Sequence, residues 1–429
     1  MSMDALRRTR QMNRERSDRL LQARRGAKQI VIPMTREQYD VCWEDSLRTR
    51  EFVDRTISQH PELFPPCLRN GFALHGFARP SRKLSGVRLR KIRPTGGGEA
   101  FHLRPSFVMS YMTGMADDLE YPLLLLSSGL PPSIVTMGFG HNDMYWYRLV
   151  ERLGTNSLVG TTVRDPARLP DHVAADEHHV DWGGEKGFIA STAAQGCLLG
   201  LSLTNCADDE HLTAAYSDFA AEAHDMKPDY APKTVNTDGW AATQNAFQAL
   251  FSSIVVILCF LHGFLKIRDR CRKNHDLHRR IWDVYRAATV EEFHSRMAEF
   301  QTWCETQTFT SSVREMIAKL DKRADEYAVA YSQPGCYRTS NAVDRPMNRL
   351  HRFVYAGRGL HGHQVSSESR LRGWALLLNF RPFARRSGQV REHQSPAHRL
   401  SGKRYHDRWL QNLLVSTSLM GYHSAPAIR

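Results

Sequence analysis

No CxxC pair occurs in the 429 residues; the eight cysteines (Cys42, Cys67, Cys197, Cys206, Cys259, Cys271, Cys304 and Cys336) stand singly. That spacing excludes a zinc ribbon, and a disulfide framework is not expected in a chain of this length. Long apolar runs are missing too. The longest, Ile254 to Leu261, falls far short of the roughly 20 residues a bilayer span needs. The start is basic and has no apolar h-region, so no signal peptide is read. These absences lead to the expectation of a reduced, cytoplasmic protein with no membrane partner. Acid is also in short supply. Lys and Arg number 58 against 45 Asp and Glu, a formal net charge of +13. Such an excess favours an anionic partner, of which nucleic acid is the commonest.

The positive charge is gathered at the two ends. Arg7, Arg8, Arg10, Arg14, Arg16 and Arg19 crowd the first segment; Arg338, Arg345, Arg349, Arg352, Arg358, Arg370 and Arg372 mark the last quarter. Phosphate contacts by such residues release counterions, so binding should weaken steeply with salt. Residues 1–28 read as a basic disordered arm and 29–100 as a small α+β module punctuated by Pro65-Pro66 and Gly96-Gly97-Gly98. Residues 101–165 read as helical, a possible helix-turn-helix DNA-binding region. There Phe107, Val108, Tyr111 and Met112 share one face, and a later helix leaves Arg148 and Arg152 outward.

An alternating pattern follows. Val173–Val180, Lys186–Thr192 and Gly196–Leu203 read as strands, Asp208–His224 as a helix, Lys233–Thr237 as a strand, 240–251 as a helix and Ile254–Phe260 as a buried strand. The order β-β-β-α-β-α-β predicts an α/β fold with an RNase H-like core, its opening portion over 166–270. Residues 271–337 carry only helical periodicity and read as an all-helical insertion. The core resumes over 338–385, and 386–429 is left as a basic C-terminal tail in which Trp409, Leu410, Leu413 and Leu414 have the spacing of a helix.

Cutting and joining a phosphodiester calls for converging carboxylates that hold two hard cations about 4 Å apart. Asp176 lies inside the first strand of the alternating region, Asp238 just past the fourth, and Asp344 in the first turn of the last helix. An acid inside a strand is costly unless it is paired or metal-bound. Asp238-Gly239 also has the plain reading of a turn, and Asp344 that of a helix-dipole acid. Glu177, Asp181 and Glu185 compete with Asp176, and Glu368 is a fallback for the third position. Cys259 and His262 form a lone C-x-x-H, too few ligands for zinc; the plain reading is a buried thiol and a hydrogen-bonded imidazole.

These runs, in this order, resemble the Mutator-type transposases and their bacterial insertion-sequence relatives. The first is Val173-Ala174-Ala175-Asp176-Glu177-His178; the second is Asn236-Thr237-Asp238-Gly239-Trp240 with Ala246-Phe247. Cys259-Phe260-Leu261-His262-Gly263 follows, with Lys266 after it, and the set closes on Thr339-Ser340-Asn341-Ala342-Val343-Asp344-Arg345, where the family usually has Glu in place of Asp344. The resemblance covers residues 170–385. It implies Asp176, Asp238 and Asp344 as catalytic metal ligands for two Mg²⁺ or Mn²⁺ ions, with Cys259 and His262 shaping the active site. It implies nicking at terminal inverted repeats followed by joining to target DNA, carried out by a homodimer or higher oligomer at the nucleoid. Arg148, Arg152, Lys266, Arg345, Arg349 and Arg352 are the expected DNA contacts. The competing classes are an RNase H-like nuclease that does not join and a domesticated DNA-binding protein without catalysis.

Overall fold

The computed structural model describes residues 27–81, 84, 86–384 and 393–422. The first 26 residues of the basic arm, with Arg385 and Arg386, lie outside them. Two mixed sheets and many helices make an α/β protein. Among the described residues no helix is long and apolar enough to cross a membrane.

The first sheet has the order β1-β4-β3-β2, from β1 (Gln29–Ile32), β2 (Phe72–Phe77), β3 (Arg90–Pro94) and β4 (Phe101–Pro105). Helices α1 (Arg36–Cys42), α2 (Ser46–Gln59) and α3 (Pro66–Arg69) fill the β1–β2 connection. A capping box between Thr35 and Gln38 starts α1, and Asp45 caps α2. The expected module boundary at residue 100 is corrected here, because β4 pairs with both β1 and β3. The expected helix over Phe107–Met112 is also corrected. Phe107 and Val108 lie in a loop closed by a bridge between Val108 and Met115, and only a 3₁₀ turn forms at Ser110–Met112. Phe107 and Val108 are buried in that loop, whereas Tyr111 is exposed.

Helices α4 (Ala116–Ser127), α5 (Pro132–Phe139), α6 (Asp143–Leu153) and α7 (Leu158–Val163) follow. Asn142 caps α6, whose Trp146, Leu149, Val150 and Leu153 are buried. They do not form a separate module. Apart from Val159 and Val163 of α7, their buried apolar side chains join one core with the first sheet and the C-terminal helices, including Ile30, Trp43, Leu123, Trp146, Leu350, Trp374 and Leu413.

The second sheet has the order β7-β6-β5-β8-β9. Strands β5 (His172–Trp182), β6 (Glu185–Ala194) and β7 (Cys197–Thr204) form an antiparallel meander. Helix α8 (Asp209–Met226) leads to β8 (Thr234–Thr237), and α9 (Ala241–Leu250) leads to β9 (Val255–Leu258). Both β8 and β9 run parallel to β5. Alternation puts Val173 and Ala175 in one core with α8 and α9, and Ala174 in the other, with the C-terminal helices.

The last buried strand stops at Leu258, short of the expected Phe260, which opens α10 (Phe260–Arg268). With α11 (His275–Tyr285), α12 (Val290–Glu305), α13 (Ser311–Lys322) and α14 (Ala324–Ala328) it builds an all-helical unit around Phe264, Ile281, Phe293, Met297 and Leu320. The chain then enters α15 (Asn341–Ala356) and α16 (Gln364–Phe380). Helix α16 crosses α6 at very close range: a Cβ on Gly373 would lie 1.9 Å from the Val150 carbonyl oxygen.

The expected C-terminal tail is corrected as well. Helices α17 (Pro396–Ser401) and α18 (Trp409–Ser416) are packed structure, with Leu410, Leu413, Leu414 and Val415 fully buried. Beyond them Ser418 Oγ accepts from Val31 N (3.1 Å) and donates to the Leu63 carbonyl (2.7 Å), joining the C-terminal segment to the first sheet.

Candidate active site

The parallel register of β5 and β8 pairs Ala174 with Asn236. Two residues further along each strand stand Asp176 and Asp238, side by side where β8 has ended and β5 runs on. This is the C-terminal end of the parallel strands, where open α/β sheets place their ligands. Asp238 is held in a turn. Its Oδ1 accepts from Trp240 N (2.9 Å), and Gly239 has φ +99°. A Cβ at Gly239 would meet Leu258 Cδ1 at 2.9 Å and the Arg323 guanidinium at 3.3 Å, so the glycine lets the helical unit close against the turn. The Asp-Gly turn and the placed carboxylate are therefore the same feature.

Oxygen atoms of Asp176, Glu177 and Asp238 lie within 4.8 Å of one another. Neighbours on a strand face opposite ways, and these two do so at first. Asp176 shares the face of Ala174, toward α15, whereas Glu177 shares that of Ala175, toward α8 and α9. There Glu177 Oε1 accepts from Thr243 Oγ1 (2.6 Å) and from the Tyr216 hydroxyl. The Asp176 backbone is fixed by Ser191 Oγ, which donates to its carbonyl at 2.8 Å.

Asp344 arrives from the other side, in the first turn of α15. Its Oδ2 accepts from Ser340 Oγ (2.6 Å), and Ser340 N donates to Cys259 Sγ (3.1 Å). The loop before α15 is laced to the ends of β8 and β9. Asn236 Nδ2 donates to the Tyr337 carbonyl (2.9 Å) and Phe260 N to that of Arg338 (3.1 Å). Asp344 stands outside the tight group of three but contributes to its field. Glu368, the fallback, is elsewhere: it is buried, and its Oε1 accepts from Leu203 N (2.9 Å).

Burial, and then the charges of Glu177, Asp238 and Asp344, push the Asp176 carboxyl up to about 7. Burial likewise raises Glu177. Among the described residues no salt bridge is made by Asp176, Glu177, Asp238 or Asp344. The nearby cation is His262, raised to about 9 first by the Cys259 sulfur and further by Asp238 and Asp344; its Nδ1 is buried and completes no aligned hydrogen bond. Burial works against the Cys259 thiolate, but His262 and Ser340 outweigh it and leave the thiol below its ordinary value. A surplus of crowded carboxylates with oxygen donors only is the donor set that hard divalent cations such as Mg²⁺ and Mn²⁺ take, so these residues fit that group.

The expected DNA-contact residues divide. Arg345, Arg349 and Arg352 are exposed along one face of α15, leading away from Asp344, and Lys266 is exposed one turn past His262 on α10. Arg148 is exposed on α6; Arg152 is half-buried, its guanidinium 5.4 Å from the Tyr111 ring centroid. Glu177 was a competitor in the sequence, and its holders Tyr216 and Thr243 were missed. Only the pairing of β5 with α8 and α9 reveals them.

A second group of metal-ligand types, Cys206, Asp208 and His211, lies at the start of α8. Here the groups satisfy one another: Asp208 Oδ1 accepts from His211 N (2.9 Å) and meets its Nδ1 (2.7 Å), and Cys206 Sγ donates to Asp208 Oδ2 (3.2 Å).

Comparison with models of known protein families and with curated proteins finds no match for this chain.

Proposed function

We propose that this chain is a DNA transposase with an RNase H-like core, which cuts at terminal inverted repeats and joins the ends to target DNA. The observation that carries the reading is the placement of Asp176 and Asp238 in register at the ends of neighbouring parallel strands, with Asp344 entering from the helix across them. The strand order β7-β6-β5-β8-β9 supports the same reading.

Asp176, Asp238 and Asp344 would hold two Mg²⁺ or Mn²⁺ ions, which when bound supply activation of the attacking oxygen and stabilisation of the leaving one. The residues of the chain do the rest. Tyr216 and Thr243 fix Glu177 beside the ligands, so its charge strengthens the pull on a cation without its side chain wandering. Ser340 sets the Asp344 carboxylate, and Cys259 sets Ser340. His262 brings a positive charge to the rim, where a phosphate oxygen would be drawn. Arg345, Arg349 and Arg352 would hold the DNA backbone and fix its register. A second copy of the chain would be the partner on the paired element ends.

The test is cleavage of a labelled duplex that carries the flanking element ends, with Mg²⁺ or Mn²⁺, by the native chain and by Asp176→Ala. Metal-dependent nicks at the ends and joined products, both lost in the variant, are the expected result. Nicks without joined products would make the protein a nuclease. Salt-sensitive binding with no cut under any metal would make it a DNA-binding protein and overturn the proposal.

A further inference from the structure

Beyond the carboxylates, β5 and α15 continue side by side. Asp176 and His178 share one strand face, at i and i+2. Asp344, His351 and Tyr355 share one helix face, at i, i+7 and i+11. The two elements touch where His178 Nε2 meets His351 Nδ1 at 3.2 Å, and the segment after α15 is tied to β5 where Leu360 N donates to the Asp181 carbonyl (2.9 Å). Between these ties opens a cavity of about 810 Å³. It is lined by Arg352 and Tyr355 of α15, by Arg358 just after it, and on the strand side by His178, His179 and Asp181. The His pair lies about 7 Å from Asp176 along the strand and about 10 Å from Asp344 along the helix, a span of two or three nucleotide steps.

The lining sets one exposed aromatic ring beside two exposed guanidinium groups. Tyr355 is 79% exposed, an aromatic face with no partner ring among the described residues. Arg352 and Arg358 are exposed and make no salt bridge among the described residues. Arg358 also holds a left-handed backbone (φ 55°), an uncommon conformation for a residue other than glycine, directly before Gly359 (φ 99°). The one lining carboxylate, Asp181, accepts from Gly184 N (3.0 Å).

We infer that this groove is a subsite for an unpaired DNA nucleotide a few steps from the cleaved phosphate, with Tyr355 stacking the base and Arg352 and Arg358 holding the flanking phosphates. The inference rests on the reading of the carboxylates as a DNA-cleaving site. It adds that the enzyme takes a frayed or single-stranded end there and not a fully paired duplex.

The experiment is equilibrium binding by the full chain in EDTA. One probe is a duplex with a short single-stranded overhang carrying 2-aminopurine; the other is the matching blunt duplex. The native protein should bind the overhang about tenfold more tightly and quench its fluorescence. Tyr355→Ala should lose both effects and Tyr355→Phe keep them. Tyr355 is on the surface, so neither change threatens the fold. Arg352→Ala and Arg358→Ala should each reduce the slope of log K against log salt by about one. Equal affinity for the two probes, or quenching that survives Tyr355→Ala, overturns the inference. The two claims fail separately. An overhang preference in a protein that never cleaves counts against the metal-dependent reading alone, and cleavage without the preference counts against the subsite alone.

Discussion

Asp176, Glu177 and Asp238 gather at one end of the second sheet; Cys206, Asp208 and His211 gather at the first turn of α8. Both groups have ligand atoms close together, and proximity alone does not separate them. Charge balance does. In the α8 group the acid caps the helix and bonds the imidazole. Burial opposes the charged form, but the His211 hydrogen bonds leave Asp208 below its ordinary value. In the sheet-end group burial, and then the charges of Glu177, Asp238 and Asp344, raise Asp176 to about 7. Under the proposed reading the sheet-end group would take its balancing charge from bound cations, whereas the acid of the α8 group is already bonded to its neighbours.

The largest expected effect breaks the comparison in half. Asp238→Asn should reduce metal-dependent cleavage at least about a hundredfold while DNA binding in a gel-shift assay is retained, and Asp208→Ala should leave the cleavage rate within about twofold. Next, within the sheet-end group, Asp344→Asn should also cost about a hundredfold and Glu177→Gln about tenfold in single-turnover cleavage, since Glu177 acts through its field. The reverse ranking would exchange the roles of Asp344 and Glu177.

Smaller effects concern stability. Asp176 titrates near 7 in the folded chain against an ordinary value of 3.8. The folded state binds the extra proton between those values, so the metal-free protein should lose stability as pH rises from about 4 to 7. Asp176→Asn should remove that slope and stabilise the protein by about 1–3 kcal/mol at pH 8, measured by urea unfolding in EDTA. Asp208 has the opposite sign. Its folded pKa is depressed, so its contribution is present above the ordinary value and is lost as pH falls through the folded one. Asp208→Ala should cost about 1 kcal/mol at pH 7, the loss of a helix cap, in the same unfolding experiment.

The alternating half of the chain was largely legible. The expected meander, crossover units and helical unit all appear, because Val173–Ala175, Cys197–Thr204 and Val255–Leu258 are short apolar runs bounded by turns, with little competing periodicity. Asp176 and Asp238 could be placed together from the strand order alone. What was not legible depended on distant contacts. β5 runs two residues past the expected Val180, through Asp181 and Trp182, because β6 pairs with it as far as Trp182 and Glu185. Phe260 opens a helix because its side chain packs on Tyr285 and Tyr327 of the helical unit. Glu177 points away from Asp176 by strand alternation, yet their oxygens converge past the end of β8, which local sequence cannot express. Of the C-terminal helices, α18 showed in the spacing of Trp409, Leu410, Leu413 and Leu414, whereas α17, at six residues, is too short to declare itself before the core it fills is known.

The most direct test of the sheet-end group as a metal centre is calorimetric titration of the full chain with Mn²⁺ at pH 7, in buffers of different ionisation heat. The native protein should bind Mn²⁺ and release protons, since Asp176 is half-protonated there; Asp176→Asn should bind none, and Asp208→Ala should bind as the native chain does. Equal Mn²⁺ binding by Asp176→Asn and the native chain, or its loss in Asp208→Ala, would contradict the account.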